Sequence, residues 1–222
     1  MADHALQRKN MVESQVRPSD VTDRRVMRAM QEVPREAFVP LAMKPVAYMD
    51  DELRLVSGGA GRTARAMLAP RAFARLLQLA EIESGDVVLD IGCATGYSSA
   101  IIARVAETVV ALEVDAELAE TAATIIEQQR IDNIAVVTGD LDAGYASEGP
   151  FDVIVIEGAV ADVPPGLLDQ LKDGGRLVAI TAGVPPRAAL WRRSGRTFDR
   201  REAFEAAGPH MPGFEAKSEF IF

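Results

Sequence analysis

Hydrophobic and polar positions change their period part-way along this chain. In the first eighty residues apolar side chains recur mostly at helical spacing. Val26, Met27, Met30 and Val33 form one such stripe, with Asp20 as its expected cap and Pro34 as its stop. Pro40 and Pro45 mark irregular connections. Ser57-Gly58-Gly59-Ala60-Gly61 reads as a flexible loop, with Arg62, Thr63 and Arg65 just after it. Pro70 suits the first turn of a helix that continues through Phe73, Leu76, Leu77 and Leu79.

From Asp86 onward strands and helices alternate. Strands are expected over 87–90, 109–113, 134–138, 151–156 and 176–181. A helix to residue 105, one through Leu118, Ala122 and Ile126, and a short one over 167–171 separate them, and Gly174-Gly175 is expected to turn. The almost wholly apolar run 151–156 suits the centre of a parallel sheet buried on both faces. This succession predicts a doubly wound parallel sheet. Beyond it, segments 188–193 and 197–204 flank Ser194-Gly195-Arg196 as a β-hairpin, and 216–222 is expected to be a final strand.

Composition narrows the function classes. The chain has 222 residues, 48% hydrophobic and 26% charged, and a net charge of −9. That suits one α/β domain with a usable core and opposes a generic nucleic-acid or anionic-membrane binder. No apolar run reaches membrane-spanning length. Cys93 is the single cysteine, so no internal disulfide forms, and a reducing, cytoplasmic setting is expected. His4 and His210 stand apart with no cysteine cluster, so no metal site is expected.

The candidate chemistry lies where the strand 87–90 meets its helix. Asp90, Gly92, Ala94 and Gly96 follow one another at every second position. A dinucleotide fingerprint would need glycine at 94 and 97, where the chain has Ala94 and Tyr97. The alternative D-x-G-x-G-x-G departs only at Ala94, and its spacing resembles class I S-adenosylmethionine-dependent methyltransferases. Glu113 ends the next strand, where a carboxylate can accept from both ribose hydroxyls, although that feature alone also suits NAD. Asp140 ends the third strand, where the resemblance implies an acid against the adenine amino group. The cofactor set expected is Asp90, Gly92, Cys93, Ala94, Gly96, Tyr97, Glu113, Val114, Asp140, Leu141 and Glu157, with S-adenosylmethionine as the cofactor.

A closer resemblance covers roughly residues 10 to 182. Met11-Val12-Glu13-Ser14-Gln15-Val16-Arg17, then Val33-Pro34-Arg35-Glu36-Ala37-Phe38-Val39-Pro40, then Val163-Pro164-Pro165-Gly166 and Leu171-Lys172-Asp173-Gly174-Gly175 resemble the protein-L-isoaspartate O-methyltransferase family. The resemblance implies a seven-stranded, mostly parallel sheet with an N-terminal helical extension. It implies one methyltransferase domain over 1–222: a substrate-side region 1–80, a cofactor core 81–182, and a hairpin with a final strand over 183–222. It also implies a segment Gly-x-Gly-Gln-Thr-Ile-Ser-Gln-Pro whose serine supplies the active-site hydroxyl. Aligned on Pro70, this chain has Leu68 at the serine, Ala66 at the threonine and Ala69 at the second glutamine.

A carboxylate acceptor, on a protein, a peptide or a small molecule, is already ionised at neutral pH and needs no general base. It needs donors for positioning, because much of such a displacement's rate comes from alignment. Arg62, Thr63 and Arg65 are candidates, with a solvated face as the bland alternative. Glu157 is expected at the mouth of the sheet, as a base, an amine ligand or simply an exposed carboxylate. Tyr97 is expected either to touch the cofactor or to pack against the N-terminal helices. Two other function classes stay open: a cofactor-binding paralogue without isoaspartyl transfer, motivated by the lost hydroxyl, and a nicotinamide-dependent oxidoreductase, motivated by the strand–loop–acid pattern alone.

Overall fold

The computed structural model describes residues 3–59 and 63–215. Arg62 and the strand expected over 216–222 lie outside the described residues. Helix α1 (His4–Met11) runs on through a wide turn, Val12–Val16, and a tight one, Arg17–Ser19. Helix α2 (Arg24–Glu32) follows and buries Val26, Met27 and Met30. Its cap is Asp23 and not Asp20. The Asp23 carboxylate accepts from the Arg25 and Val26 amides, whereas Asp20 has φ 62° and only ends the preceding turn.

The N-terminal eighty residues are not helical throughout. Strands β1 (Leu53–Val56) and β2 (Arg65–Met67) pair antiparallel as a separate two-stranded ribbon. With three and four residues they are too short to impose a period on the sequence. Helix α3 (Pro70–Ala80) then starts at its proline, whose missing N–H costs nothing in a first turn.

Next come β3 (Val87–Ile91), α4 (Tyr97–Ile102), β4 (Thr108–Glu113), α5 (Ala116–Gln128), β5 (Ile134–Thr138) and β6 (Phe151–Val160). Helix α6 (Pro165–Leu168), β7 (Leu171–Thr181), β8 (Arg187–Ser194) and β9 (Thr197–Glu205) complete the order. The seven-stranded sheet runs β5-β4-β3-β6-β7-β8-β9. Its first five strands are parallel, and β8 and β9 turn back antiparallel as the expected hairpin. Gly174-Gly175 turns the chain inside β7 and does not precede it, so Val153 of β6 faces Arg176 while Phe151 faces Leu171.

Side chains alternate across the central strands. Val88, Val109, Val153, Val155 and Val178 join the core formed with α1, α2 and α3. Leu89, Val110, Ile154, Ile156 and Leu177 join the core on the opposite face. The chain leaves β3 toward one edge through β4 and β5, then returns to the other side of β3 as β6. That reversal opens a crevice at the carboxyl ends of β3, β4 and β6, where α/β sheets bind ligands. Among the described residues no helix is long and apolar enough to cross a membrane.

Candidate active site

Gly92, Ala94 and Gly96 carry φ of 83°, 51° and 90°, so every second residue between β3 and α4 is left-handed. Glycine adopts that conformation freely, whereas Ala94 strains by about 1–2 kcal/mol. An anchor offsets the strain: the Ala94 amide donates to Glu113 Oε2 at 2.8 Å. The Gly92 and Cys93 amides both donate to the Leu112 carbonyl, at 2.8 and 3.2 Å. The end of β4 therefore shapes the loop that leaves β3.

Glu113 is fully buried and accepts five hydrogen bonds. Oε1 takes the Val114 and Asp115 amides at 3.0 and 3.2 Å and Arg65 Nε at 3.0 Å. Oε2 takes the Ala94 amide and Arg65 Nη2, both at 2.8 Å. A carboxylate offers about four lone-pair sites, so none is left for another donor. Arg65 is 1% exposed. It is neither a solvated face nor an exposed acceptor ligand; it forms a buried, two-pronged ion pair across the mouth of the sheet. Arg65 belongs to β2, and its neighbours Ala66, Met67 and Leu68 are buried with it.

Asp90 Oδ2 accepts from the Ser98 and Ser99 hydroxyls at 2.7 and 2.5 Å, and its Oδ1 is buried without a partner. Burial pushes its carboxyl up to about 6, against the two serine bonds, with the Glu113 charge adding to the rise. Glu157, expected at an exposed mouth, lies within β6 and is 5% exposed. Pairing with β7 breaks after Val155 and resumes at Ala159, so Glu157 lies in an irregularity inside the strand. Burial, then repulsion from Asp90, raises its carboxyl well above the ordinary range, and its Oε1 has no partner. Burial and that repulsion both favour its neutral form.

Arg35 is a site residue not singled out from sequence. It is buried and donates from Nε to the Ala47 carbonyl and from Nη2 to the Leu68 carbonyl, at 2.9 and 2.8 Å. Its guanidinium lies 4.7 Å from the centroid of the Tyr97 ring. Tyr97 also packs edge-on against Phe38 and beside Phe73, so it meets the N-terminal region as well as the loop. Leu68, in the place of the expected hydroxyl, is buried and held by its own carbonyl.

The second missed residue comes from the C-terminal tail. Residues 209–214 cross the end of β6: the Ala159 amide donates to the Pro209 carbonyl, the Met211 amide to the Ala159 carbonyl, and the Ala161 amide to the Phe214 carbonyl. This holds Met211 against the loop. A Cβ added at Gly92 would sit 2.1 Å from Met211 Cε and 2.8 Å from Arg65 Nη2. Arg65 Nη1 in turn lies 3.6 Å from Met211 Sδ. What remains between Arg35, Leu68, Gly92, Tyr97 and Glu157 is a cavity of about 10 Å³, the size of one water site.

The other expected residues are not drawn together here. Thr63 lines a groove of about 360 Å³ with Glu52, Arg54 and His210, which adjoins the site through Arg65 and Ala66. Asp140 is exposed beyond β5, while Leu141 is buried. Cys93 is buried, and burial raises its thiol well above the usual range, which disfavours the thiolate.

A family model described as Protein-L-isoaspartate(D-aspartate) O-methyltransferase matches residues 6–186. The chain belongs to that family. It is 40% identical over 195 residues to a protein-L-isoaspartate O-methyltransferase of Koribacter versatilis, covering 86% of this chain and 85% of that one. It is 39% identical over 195 residues to one of Methanoculleus marisnigri, covering 86% and 84%. A solved protein-L-isoaspartate O-methyltransferase superposes with a TM-score of 0.80 at 26% identity, over 93% of this chain and 66% of that one, so this chain spans slightly under two thirds of its length. A Plasmodium falciparum structure in complex with S-adenosyl-L-homocysteine shares the fold, with a TM-score of 0.73 at 19% identity over 94% and 97%.

Residues for the expected cofactor are present, but their ligand-facing sides are only partly free. Asp90 Oδ1 and Glu157 Oε1 are buried polar atoms without partners, so both are free to meet a polar group of a ligand. Glu113 is saturated by Arg65, and the face of Gly92 is covered by Met211. In this arrangement Arg65 and Met211 leave about 10 Å³ of open space beside the loop.

Proposed function

We propose that this chain is an S-adenosylmethionine-dependent methyltransferase that esterifies a carboxylate. The observation that carries the reading is the left-handed 92–96 loop pinned to Glu113, with Asp90 near the end of β3 and Glu157 in the last part of the adjacent β6. The names of its relatives support the same chemistry. On this reading the cofactor side comprises Asp90, residues 92–97, Glu113, Val114, Asp140, Leu141 and Glu157. The described residues work as one domain: regions 1–80, 81–182 and 183–222 serve as substrate side, cofactor core and closing hairpin. A single buried cysteine supports a cytoplasmic setting.

The acceptor needs no base. Burial favours the neutral form of Glu157, which lessens the repulsion a charged carboxylate would exert on the acceptor. Arg35 stands behind Leu68 and Tyr97 as a fixed positive charge. The acceptor would approach an apolar wall at Leu68 where a hydroxyl is expected. That observation favours a second reading, a cofactor binder with little or no isoaspartyl transfer.

Label transfer tests both. The expected result is a base-labile methyl ester on a carboxylate acceptor when labelled S-adenosylmethionine is supplied. Isoaspartyl peptides are expected to be poor acceptors compared with other carboxylates. Absence of any ester across peptides and small carboxylic acids would contradict the methyltransferase reading.

A further inference from the structure

We infer that Arg65 and Met211 form an internal plug that competes with the methyl donor for its own site, so that Arg65 decides whether the cofactor enters. The inference rests on reading the 92–96 loop and Glu113 as the cofactor cradle. Three observations carry it. Both oxygens of Glu113 are taken by the Arg65 fork, in addition to three backbone amides. Met211 fills the space over Gly92 that the missing side chain leaves open. The two plugging residues touch each other through Arg65 Nη1 and Met211 Sδ, so they close the site as one unit.

Neither residue belongs to the parallel strands, although Met211 and Phe214 pack into the apolar core on one face of the sheet. Arg65 is on the two-stranded ribbon and Met211 on the tail laid across β6. Each is tied to the sheet by few bonds: the tail by three backbone bonds near Ala159 and Ala161, the side chain of Arg65 by its bonds to Glu113. Opening the site therefore requires the ribbon and tail to withdraw, leaving β3, β4 and β6 unchanged. A ligand that binds only the open form has its affinity reduced by the fraction of molecules that are open. The plug thus sets the apparent affinity for the methyl donor. It can be relieved by anything that draws Arg65 away from Glu113.

The test uses S-adenosylhomocysteine in calorimetry and a small thiol reagent on Cys93, with the full chain and the variants Arg65→Gln and Met211→Ala. Each variant's cooperative melting is checked first. Cys93 lines the plugged cavity, so its labelling reports opening without any cofactor. The expected result is labelling at least tenfold faster in at least one variant that melts cooperatively, together with S-adenosylhomocysteine binding at least tenfold tighter than to the unaltered chain. Unchanged labelling in both variants overturns the plug, and so does equal affinity in all three proteins. Faster labelling with no binding in any protein upholds the plug and instead sinks the cofactor reading on which the proposed function stands.

Discussion

Arg35 donates from Nη2 to the carbonyl of Leu68 at 2.8 Å, both residues being buried. This bond ties the N-terminal region to the segment where the family's hydroxyl is expected. A second bond, to the Ala47 carbonyl, fixes the other side of the guanidinium. Burial lowers the pKa of Arg35, opposing its charge, and the two carbonyls and the Tyr97 ring partly compensate. Arg35→Met leaves two buried carbonyls without donors, at about 1–3 kcal/mol each, and removes the cost of a buried charge. A net loss of about 2–4 kcal/mol is expected in urea unfolding. An unchanged midpoint would show that the desolvation relief cancels both bonds.

Restoring the hydroxyl is a separate matter from stability. Leu68→Ser empties part of a packed site, and a loss of about 2–4 kcal/mol is expected. If the missing serine is what limits isoaspartyl transfer, the variant gains isoaspartyl methylation over the unaltered chain in label transfer at a temperature where both are folded. No gain would place the limit elsewhere, the Arg65 plug being the first alternative.

Asp90 gives a pH dependence whose sign is fixed. Its carboxyl is raised to about 6 in the fold, from an ordinary value of 3.8. A raised carboxylate favours the fold while it is protonated. That contribution is complete below about pH 4 and is lost as pH climbs through about 6, for a span of about 3 kcal/mol. Asp90→Asn keeps an acceptor for Ser98 and Ser99 and does not ionise. It is expected to melt higher than the unaltered chain at pH 8, with the difference shrinking at pH 4.5. The same difference at both pH values would contradict the buried-carboxyl account.

The cap of α2 provides a local check. Asp23→Ala removes the acceptor of the Arg25 and Val26 amides and is expected to cost about 0.5–2 kcal/mol, while Asp20→Ala leaves those bonds intact. Equal losses in the two variants by thermal melting would contradict the assignment.

The parallel sheet was legible because its strands are apolar runs, and Asp90, Glu113 and Asp140 fall at or close to the carboxyl ends of β3, β4 and β5. Asp90 and Glu113 were readable as a pair for that reason. Asp20 and Asp23 both resemble caps, and only backbone conformation separates them. The ribbon β1–β2 was hidden because its short strands carry no period. Glu157 looked exposed because a charged residue after an apolar run usually marks a strand's end, whereas here the strand continues three residues further. Met211 lies in a tail whose course is set by backbone bonds to β6, which leave no mark in sequence. Arg65 did leave one: counting back from Pro70 sets it at the first glutamine of the expected Gly-x-Gly-Gln-Thr-Ile-Ser-Gln-Pro segment. A charge in that place points to an ion-pair partner within reach.

The central claim is that Glu113 anchors the methyl donor and that Arg65 now holds that anchor. The most direct measurement is S-adenosylhomocysteine calorimetry on Arg65→Gln against the double variant Arg65→Gln/Glu113→Gln, both verified as folded. The account predicts that Arg65→Gln binds and that the double variant binds at least tenfold more weakly, about 1.4 kcal/mol or more. Equal affinity in the two would contradict it, because Glu113 would then not be the anchor.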